Sequence, residues 1–274
     1  MNGKRLTQKV AIVTGSTSGI GRASAELFAE EGASVVLSGR RREQGMEVEK
    51  GIRDKDGTAS YFYADLSKSE DIKALIQFTL DTYGKIDILM NNAYSGHQAS
   101  VTDLEEADWD ASFAIILKAP ALASKHTIPA MIKRGGGSII NVTSSMGLLG
   151  GRGSTNYGAL KAGLINLTRH MAVEYGRYGI RVNAICPGRI VTEEKVKFLK
   201  SHPEQVRLQK LVYPLGRPGT MREAAMAALF LASDESSFIT GQNLAVDGGL
   251  TVQLADSLGA YLDSVLREEM SSKK

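Results

Sequence analysis

KVAIVTGSTSGIGRASAELFAEEG, residues 9–32, decides how the rest of the chain is read. Its first seven residues, Lys9 to Gly15, are short, apolar and β-branched, as a strand buried on both faces should be. From Ser18 the period changes. Ile20, Ala23, Leu27 and Phe28 fall on one face of a helix, and Gly32 stops it. Three glycines, Gly15, Gly19 and Gly21, occupy the turn between strand and helix. Strand, glycine turn and helix in this order open a β–α–β unit. Such units build parallel sheets, because parallel neighbours need a crossover connection.

The alternation continues along the chain. Strands are expected at 33–40, 58–66, 85–93, 136–144, 180–188 and 242–249, and helices at 41–56, 67–84, 107–120, 155–178 and 221–233. Ser67 reads as an N-cap with Glu70 completing a capping box, and Gly84 as the terminator of that helix. The pattern predicts an α/β fold: a single-domain, Rossmann-type, doubly wound parallel sheet of order 3-2-1-4-5-6-7, with helices on both faces. Residues 1–250 form that domain. Within it, 189–217 is an insertion with Pro203 and Pro214, followed by Pro218, whose length suits a lid over a substrate. The tail, 251–274, carries Leu254, Leu258, Leu262, Val265 and Leu266 at helical spacing. It reads as an amphipathic helix that docks on its own subunit or covers a neighbour's cleft.

Composition excludes several classes of function. The chain of 274 residues is 43% hydrophobic and 23% charged, with a net charge of +3 and no basic block of the kind that binds nucleic acid. The longest apolar run, Ala224 to Ala232, is nine residues, far short of a membrane span. MNGKRLTQK at the start lacks an apolar segment behind its charges, and the one cysteine, Cys186, permits no internal disulfide. The expectation is a cytoplasmic protein acting on a small molecule, with no nucleic-acid or membrane partner. His97, His126, His170 and His202 have no metal-ligand spacing, so no metal site is expected. His97 and His202 keep some claim to line a cleft.

TGSTSGIG stands where a phosphate-binding turn belongs. Gly15 allows the tight turn, Gly19 lets backbone approach a pyrophosphate, and Gly21 packs helix against strand, while the helix N-terminus offers N–H groups and a favourable dipole. Alone, such a turn is weak evidence, with a purely structural turn as the lesser alternative. The second strand adds to it. An NAD site tends to carry a carboxylate roughly 20 residues after the glycines. Here Gly39 is followed by Arg40, Arg41 and Arg42, a set suited to a 2′-phosphate, although at least one of these arginines simply opens a solvated helix. NADP(H) is favoured, with NAD(H) possible.

In SSMGLLGGRGSTNYGALKAG, residues 144–163, Tyr157 and Lys161 lie four apart on one helical face, and Ser144 closes the strand before them. An ammonium beside a phenol lowers its pKa from about 10 towards neutrality, so that it can protonate a carbonyl or deprotonate an alcohol near neutral pH. With these residues on the page, the chain resembles the short-chain dehydrogenases/reductases from about residue 7 to 250. TGSTSGIG, Asp65-Leu66, NNA at 91–93, Ser144, Tyr157-x-x-x-Lys161, PGRIVT at 187–192 and ITGQNLAVDGG at 239–249 fall in the family's order. The resemblance implies that Ser144 holds the substrate oxygen, Tyr157 is the acid/base, and Lys161 binds the nicotinamide ribose and depresses the tyrosine pKa. It also implies cofactor contacts at Gly15, Ser18, Gly19, Ile20, Gly21, Arg40, Asp65, Leu66, Asn92, Pro187, Gly188, Ile190 and Thr192, and a homotetramer.

Two departures stand out. Where the family commonly reads N-N-A-G this chain has Tyr94, which either shapes the substrate pocket or packs on the sheet edge. The family's helical asparagine, which holds a water in the proton relay to the lysine, falls on Ile116, and no asparagine occurs between Ala93 and Ile140. An isoleucine cannot hydrogen-bond that water. Met146, Leu148 and Leu149 could wall the pocket or simply pack, and Cys186 reads as core. The function expected is an NADP(H)-dependent oxidoreductase interconverting a carbonyl and a secondary alcohol. The alternatives are a 3-oxoacyl-thioester (acyl carrier protein) reductase and, in another class, a cofactor-binding sensor or scaffold with little turnover.

Overall fold

The computed structural model describes residues 4–202 and 212–271. Pro203 and the centre of the expected insertion therefore lie outside the described residues. Seven parallel strands form the sheet, in the order β3-β2-β1-β4-β5-β6-β9: β1 Val10–Thr14, β2 Ser34–Gly39, β3 Thr58–Tyr63, β4 Ile88–Asn91, β5 Gly137–Val142, β6 Ile180–Pro187 and β9 Asn243–Val246. This is the expected order. The last strand is ninth in the chain because β7 (Ile190–Val191) and β8 (Gly219–Thr220) pair in a separate two-stranded parallel sheet that ties together the two ends of the intervening segment.

Strand alternation divides the core between the two faces. Ala11 and Val13 of β1 point towards α1 (Gly19–Glu30), α2 (Arg42–Arg53) and α8 (Met221–Ala232), where Leu27, Phe28, Val48, Ile52 and Leu229 bury. Ile12 points the other way, towards α3 (Ser69–Tyr83), α5 (Ala119–Arg134) and α6 (Thr155–Tyr175), with Ile72, Leu75, Ala123 and Met171. Helix α7 (Glu193–Lys200) follows β7, and α9 (Ala255–Ser271) forms the tail. Leu254 and Tyr261 of the tail segment are exposed. The side chains of Val265 and Leu266 lie outside the description.

Two local readings need correction. Ser67 does not cap α3. The N-cap is Lys68, and the Ser67 hydroxyl donates to Asp65 Oδ1 at 2.8 Å instead. The capping box is lost to the Asp65 turn, although Gly84 ends α3 in the left-handed region at φ 73°, as expected. The helix expected over 107–120 is composite. An α-helix, α4 (Glu106–Phe113), widens into a π turn over Ala114–Lys118 and continues as α5. The cause is Pro120. It has no N–H for the Ile116 carbonyl four residues back, and in an α-helix its ring would clash with that carbonyl. The wider turn relieves the clash.

Candidate active site

The carboxyl ends of β1, β2, β3, β4, β5 and β6 open onto one cleft of about 630 Å³. Its centre is the β1–β4 boundary, where strand order reverses and open α/β sheets bind their ligands. Of the residues singled out from the sequence, Gly15, Ser18, Gly19, Ile20, Arg40, Asp65, Leu66, Asn92, Ser144, Tyr157, Lys161, Pro187, Gly188 and Ile190 line the cleft.

Gly15 adopts φ 64°, and a Cβ there would sit 2.7 Å from the Ala93 Cα, so only glycine lets the turn nest against the end of β4. Asn92 braces that turn from the other side, its Nδ2 donating to the carbonyls of Thr14 (2.9 Å) and Gly15 (3.0 Å). Helix α1 begins without a side-chain cap at Ser18, and a Cβ added to Gly19 would meet nothing within 4 Å. The cleft thus contains an uncapped helix N-terminus with open space before it, which fits a pyrophosphate.

The three arginines have separate fates. Arg42, the first residue of α2, lies over the Tyr63 ring at 4.8 Å. Arg40 reaches Ser95 Oγ at 3.2 Å. Arg41, better fixed, donates from Nε and Nη2 to Thr17 Oγ1 (3.1 and 2.7 Å) and from Nη2 to Ser18 Oγ (2.5 Å). Arg40 and Arg41 both line the cleft. Beside them burial pushes the Asp65 carboxyl up, but the hydrogen bonds from Ser67 and the positive charge of Arg40 and Lys68 leave it below its ordinary value.

Ser144 lies two residues beyond β5 in extended conformation, its Oγ accepting from Met146 N at 3.2 Å. The turn that follows lies directly on α6. A Cβ on Gly147 would come within 2.9 Å of the Lys161 carbonyl carbon, and one on Gly158 within 2.9 Å of the Met146 oxygen. This double glycine contact brings the Ser144 hydroxyl into hydrogen-bonding influence on the Tyr157 phenol. Lys161 is buried. Its Nζ donates to the Val142 carbonyl at 2.5 Å and lies 5.6 Å from the Tyr157 ring centroid.

The electrostatics differ from the sequence expectation of a depressed tyrosine. Burial pushes the Tyr157 phenol above its ordinary value, against a smaller lowering by Ser144. Burial also pulls Lys161 down from 10.5 to about 8. Desolvation dominates because both groups sit within the fold and the ammonium is directed at a backbone carbonyl.

Several of the residues singled out lie outside the cleft lining. Gly21 does not line the cleft. A Cβ there would lie 2.4 Å from the Gly15 carbonyl oxygen and 2.3 Å from Asn92 Nδ2, so its service is to let helix and turn touch. Thr192 is the N-cap of α7, its Oγ1 accepting from Lys195 N at 3.2 Å, and does not line the cleft. Met146, Leu148 and Leu149 are exposed outside the cleft lining. His97 and His202 do not line it either. The His97 carbonyl takes a hydrogen bond from Asn156, and the His202 ring stacks on Phe198 at 3.8 Å. Ile116 is 1% exposed and does not line the cleft, whereas its neighbour Ile115 does. Cys186 is buried, as read. The sequence reading missed Thr17, Ser95, Ile115 and Met221 as lining residues. Thr17 had a signal in its place in the glycine turn, and Ile115 had one in Pro120, which interrupts the regular helix.

Known proteins resemble this chain over nearly its whole length. A family profile described as enoyl-(acyl carrier protein) reductase matches residues 15–251. A 3-oxoacyl-(acyl-carrier-protein) reductase of Thermotoga maritima is 40% identical over 249 residues, covering 90% of this chain and 100% of its own length. An uncharacterized oxidoreductase of the same organism is 39% identical over 246 residues, covering 89% and 97%. A cis-4-hydroxycyclohexanecarboxylate dehydrogenase of Sinomonas cyclohexanicum is 39% identical over 251 residues, covering 91% and 99%.

Proposed function

The chain belongs to the short-chain dehydrogenase/reductase family, and from that premise we propose that it is an NADP(H)-dependent carbonyl reductase whose acid/base is Tyr157. Membership makes it an oxidoreductase that interconverts a carbonyl and an alcohol with a nicotinamide cofactor. Preference for the 2′-phosphorylated form is our reading. It rests on Arg41, anchored by Thr17 and Ser18, with Arg40 beside it and no carboxylate at the end of β2.

The observation that carries the catalytic reading is the convergence of Ser144, Tyr157 and Lys161 on the cleft that also holds the glycine turn. When bound, the nicotinamide supplies or accepts the hydride. This chain's residues handle the proton and the geometry. The Ser144 hydroxyl positions the substrate oxygen, and Tyr157, a phenol whose burial further favours its protonated form, donates from Oη to that oxygen. Lys161, held at the Val142 carbonyl, offers an ammonium to the ribose hydroxyls and a positive charge near the phenol. Gly15, Ser18, Gly19 and Ile20 cradle the pyrophosphate, Asp65 and Leu66 flank the adenine, and Pro187, Gly188 and Ile190 border the nicotinamide.

The substrate we favour is a 3-oxoacyl thioester or a similarly small ketone. The Thermotoga relative's name supports the first, and the Sinomonas relative's name supports a cyclic alcohol. Exposed Phe113 and Val173, on α4 and α6, support self-association through those helices, consistent with a homotetramer. Among the described residues no helix is long and apolar enough to cross a membrane. The test is a panel of 3-oxoacyl thioesters, cyclic ketones and their alcohols, assayed with NADPH and with NADH. Tyr157→Phe should lower kcat by roughly 100-fold or more, the usual contribution of a positioned general acid. Full activity in that variant would end the assignment.

A further inference from the structure

The β4–α4 loop carries a feature that the reaction as described does not use. The Tyr94 ring, about half exposed, lines the cleft and meets the Tyr157 ring edge-on, with centroids 5.2 Å apart and planes at 78°. Such a pair attracts beyond its burial and holds both rings in one geometry. The Tyr94 hydroxyl is itself fixed. It donates to the Gly96 carbonyl at 3.2 Å and accepts from the Gln98 amide. Gln98 Oε1 in turn accepts from Ser154 Oγ at 2.7 Å.

Ser154 is the buried N-cap residue of α6, three residues before Tyr157. Two further bonds join the same loop to the same helical turn. Thr155 N donates to the Ala99 carbonyl (3.1 Å) and Asn156 Nδ2 to the His97 carbonyl (2.8 Å). Asn156 also reaches Ser112 Oγ on α4 (2.9 Å), while its Oδ1 accepts from Tyr157 N (2.9 Å). His97, Gln98 and Ala99 are thus each bonded to the turn that presents Tyr157, and Gln98 carries Tyr94 with it. The loop bends sharply enough because Gly96 has φ 139°, where a Cβ would strike Ser112 Oγ at 2.5 Å.

We propose that Tyr94 is a positioning and specificity residue: its ring, held through Gln98 and Ser154, fixes the Tyr157 phenol and closes one flank of the cleft to bulky carbonyl substrates. The carbonyl then approaches Tyr157 from the side of Ser144. Tyr94 also acts on the phenol at a distance, raising its pKa electrostatically in addition to the burial it provides. The substrate half of this inference rests on Tyr157 being the acid/base. The positional half does not, and can be read without turnover.

The test compares the full chain with Tyr94→Phe, Tyr94→Gly and Gln98→Ala. Cζ-labelled tyrosine, followed by NMR with Tyr157→Phe for assignment, reads the Tyr157 phenol pKa directly. It should fall in Tyr94→Gly and fall less in Tyr94→Phe, which keeps the ring. With turnover, Tyr94→Gly should lower kcat about fivefold or more on a small ketone. The ratio of kcat/KM for a bulky cyclic ketone over that small ketone should rise by a similar factor, through KM. Tyr94→Phe should restore most of the small-ketone kcat, and Gln98→Ala should lower it without changing the substrate ratio. An unmoved Tyr157 titration in the folded Tyr94→Phe and Tyr94→Gly proteins would overturn the positional claim. An unchanged substrate ratio would overturn the specificity claim. Absence of turnover in the unaltered chain counts against the reductase reading alone.

Discussion

Lys161→Met should give a protein that is inactive but more stable at neutral pH. The ammonium is buried, with a pKa of about 8 against an ordinary 10.5. In the unfolded chain the group binds its proton more tightly than in the fold, so between these two values the unfolded state carries more protons and stability rises with pH. Below about pH 8 the whole penalty is present. At about 1.4 kcal/mol per pH unit it amounts to roughly 3 kcal/mol at pH 7 and falls to under about 1 kcal/mol by about pH 10. Methionine fills the space of the lysine stem with no charge to desolvate. It gives up the hydrogen bond to the Val142 carbonyl, a loss of about 1 kcal/mol. The net gain is therefore about 2 kcal/mol at pH 7, which shrinks to about zero near pH 10. Denaturant unfolding of both proteins at pH 7 and pH 10 measures the difference, and subtracting the two removes every group they share. A variant as stable as the parent at pH 7, or a gain that does not shrink by pH 10, would refute the view that this lysine is held against its desolvation cost.

Three further outcomes follow from the site. Arg41→Ala should raise KM for NADPH by about 10- to 100-fold, the worth of a charge-assisted hydrogen bond, and leave KM for NADH nearly unchanged; an equal rise for both would remove the 2′-phosphate assignment. Thr192→Ala should cost about 1 kcal/mol through loss of the α7 cap, read by thermal unfolding, with nucleotide KM unchanged; a clear rise in KM would return Thr192 to the cofactor site. Ile116→Asn should raise kcat while costing about 2 kcal/mol for the lost apolar burial; a destabilised variant with unaltered kcat would mean that the missing side-chain amide does not limit the proton path.

Which parts of the site were legible in the sequence depends on the range of the contact. The glycine turn, Tyr157 and Lys161 declare themselves because one strand and one helix place them, and period alone reads such elements. The seven-strand order follows from repeated crossovers. Long-range contacts left weaker marks. Ser144 meets Tyr157 through Gly147 and Gly158, two glycines that have no periodic signature. The arginine run announced an anion site, yet the best-fixed member is Arg41 rather than Arg40, because Thr17 and Ser18 lie within its reach. Thr192 fits the family pattern and also caps a helix, so its hydroxyl serves a local bond that spacing could not reveal.

The opposite error arose at Ile115 and Ile116, where a local signal was present and unread. Treating 107–120 as regular α-helix directs attention to Ile116 as the departure facing the site. The π turn over Ala114–Lys118 places Ile115 in the cleft lining and buries Ile116. Pro120, four residues after Ile116, cannot donate to that residue's carbonyl. A proline at that offset thus shifts the helix face by widening the turn. That shift follows from the missing N–H of a single residue, and it is why regular helical spacing points to Ile116 while Ile115 lines the cleft.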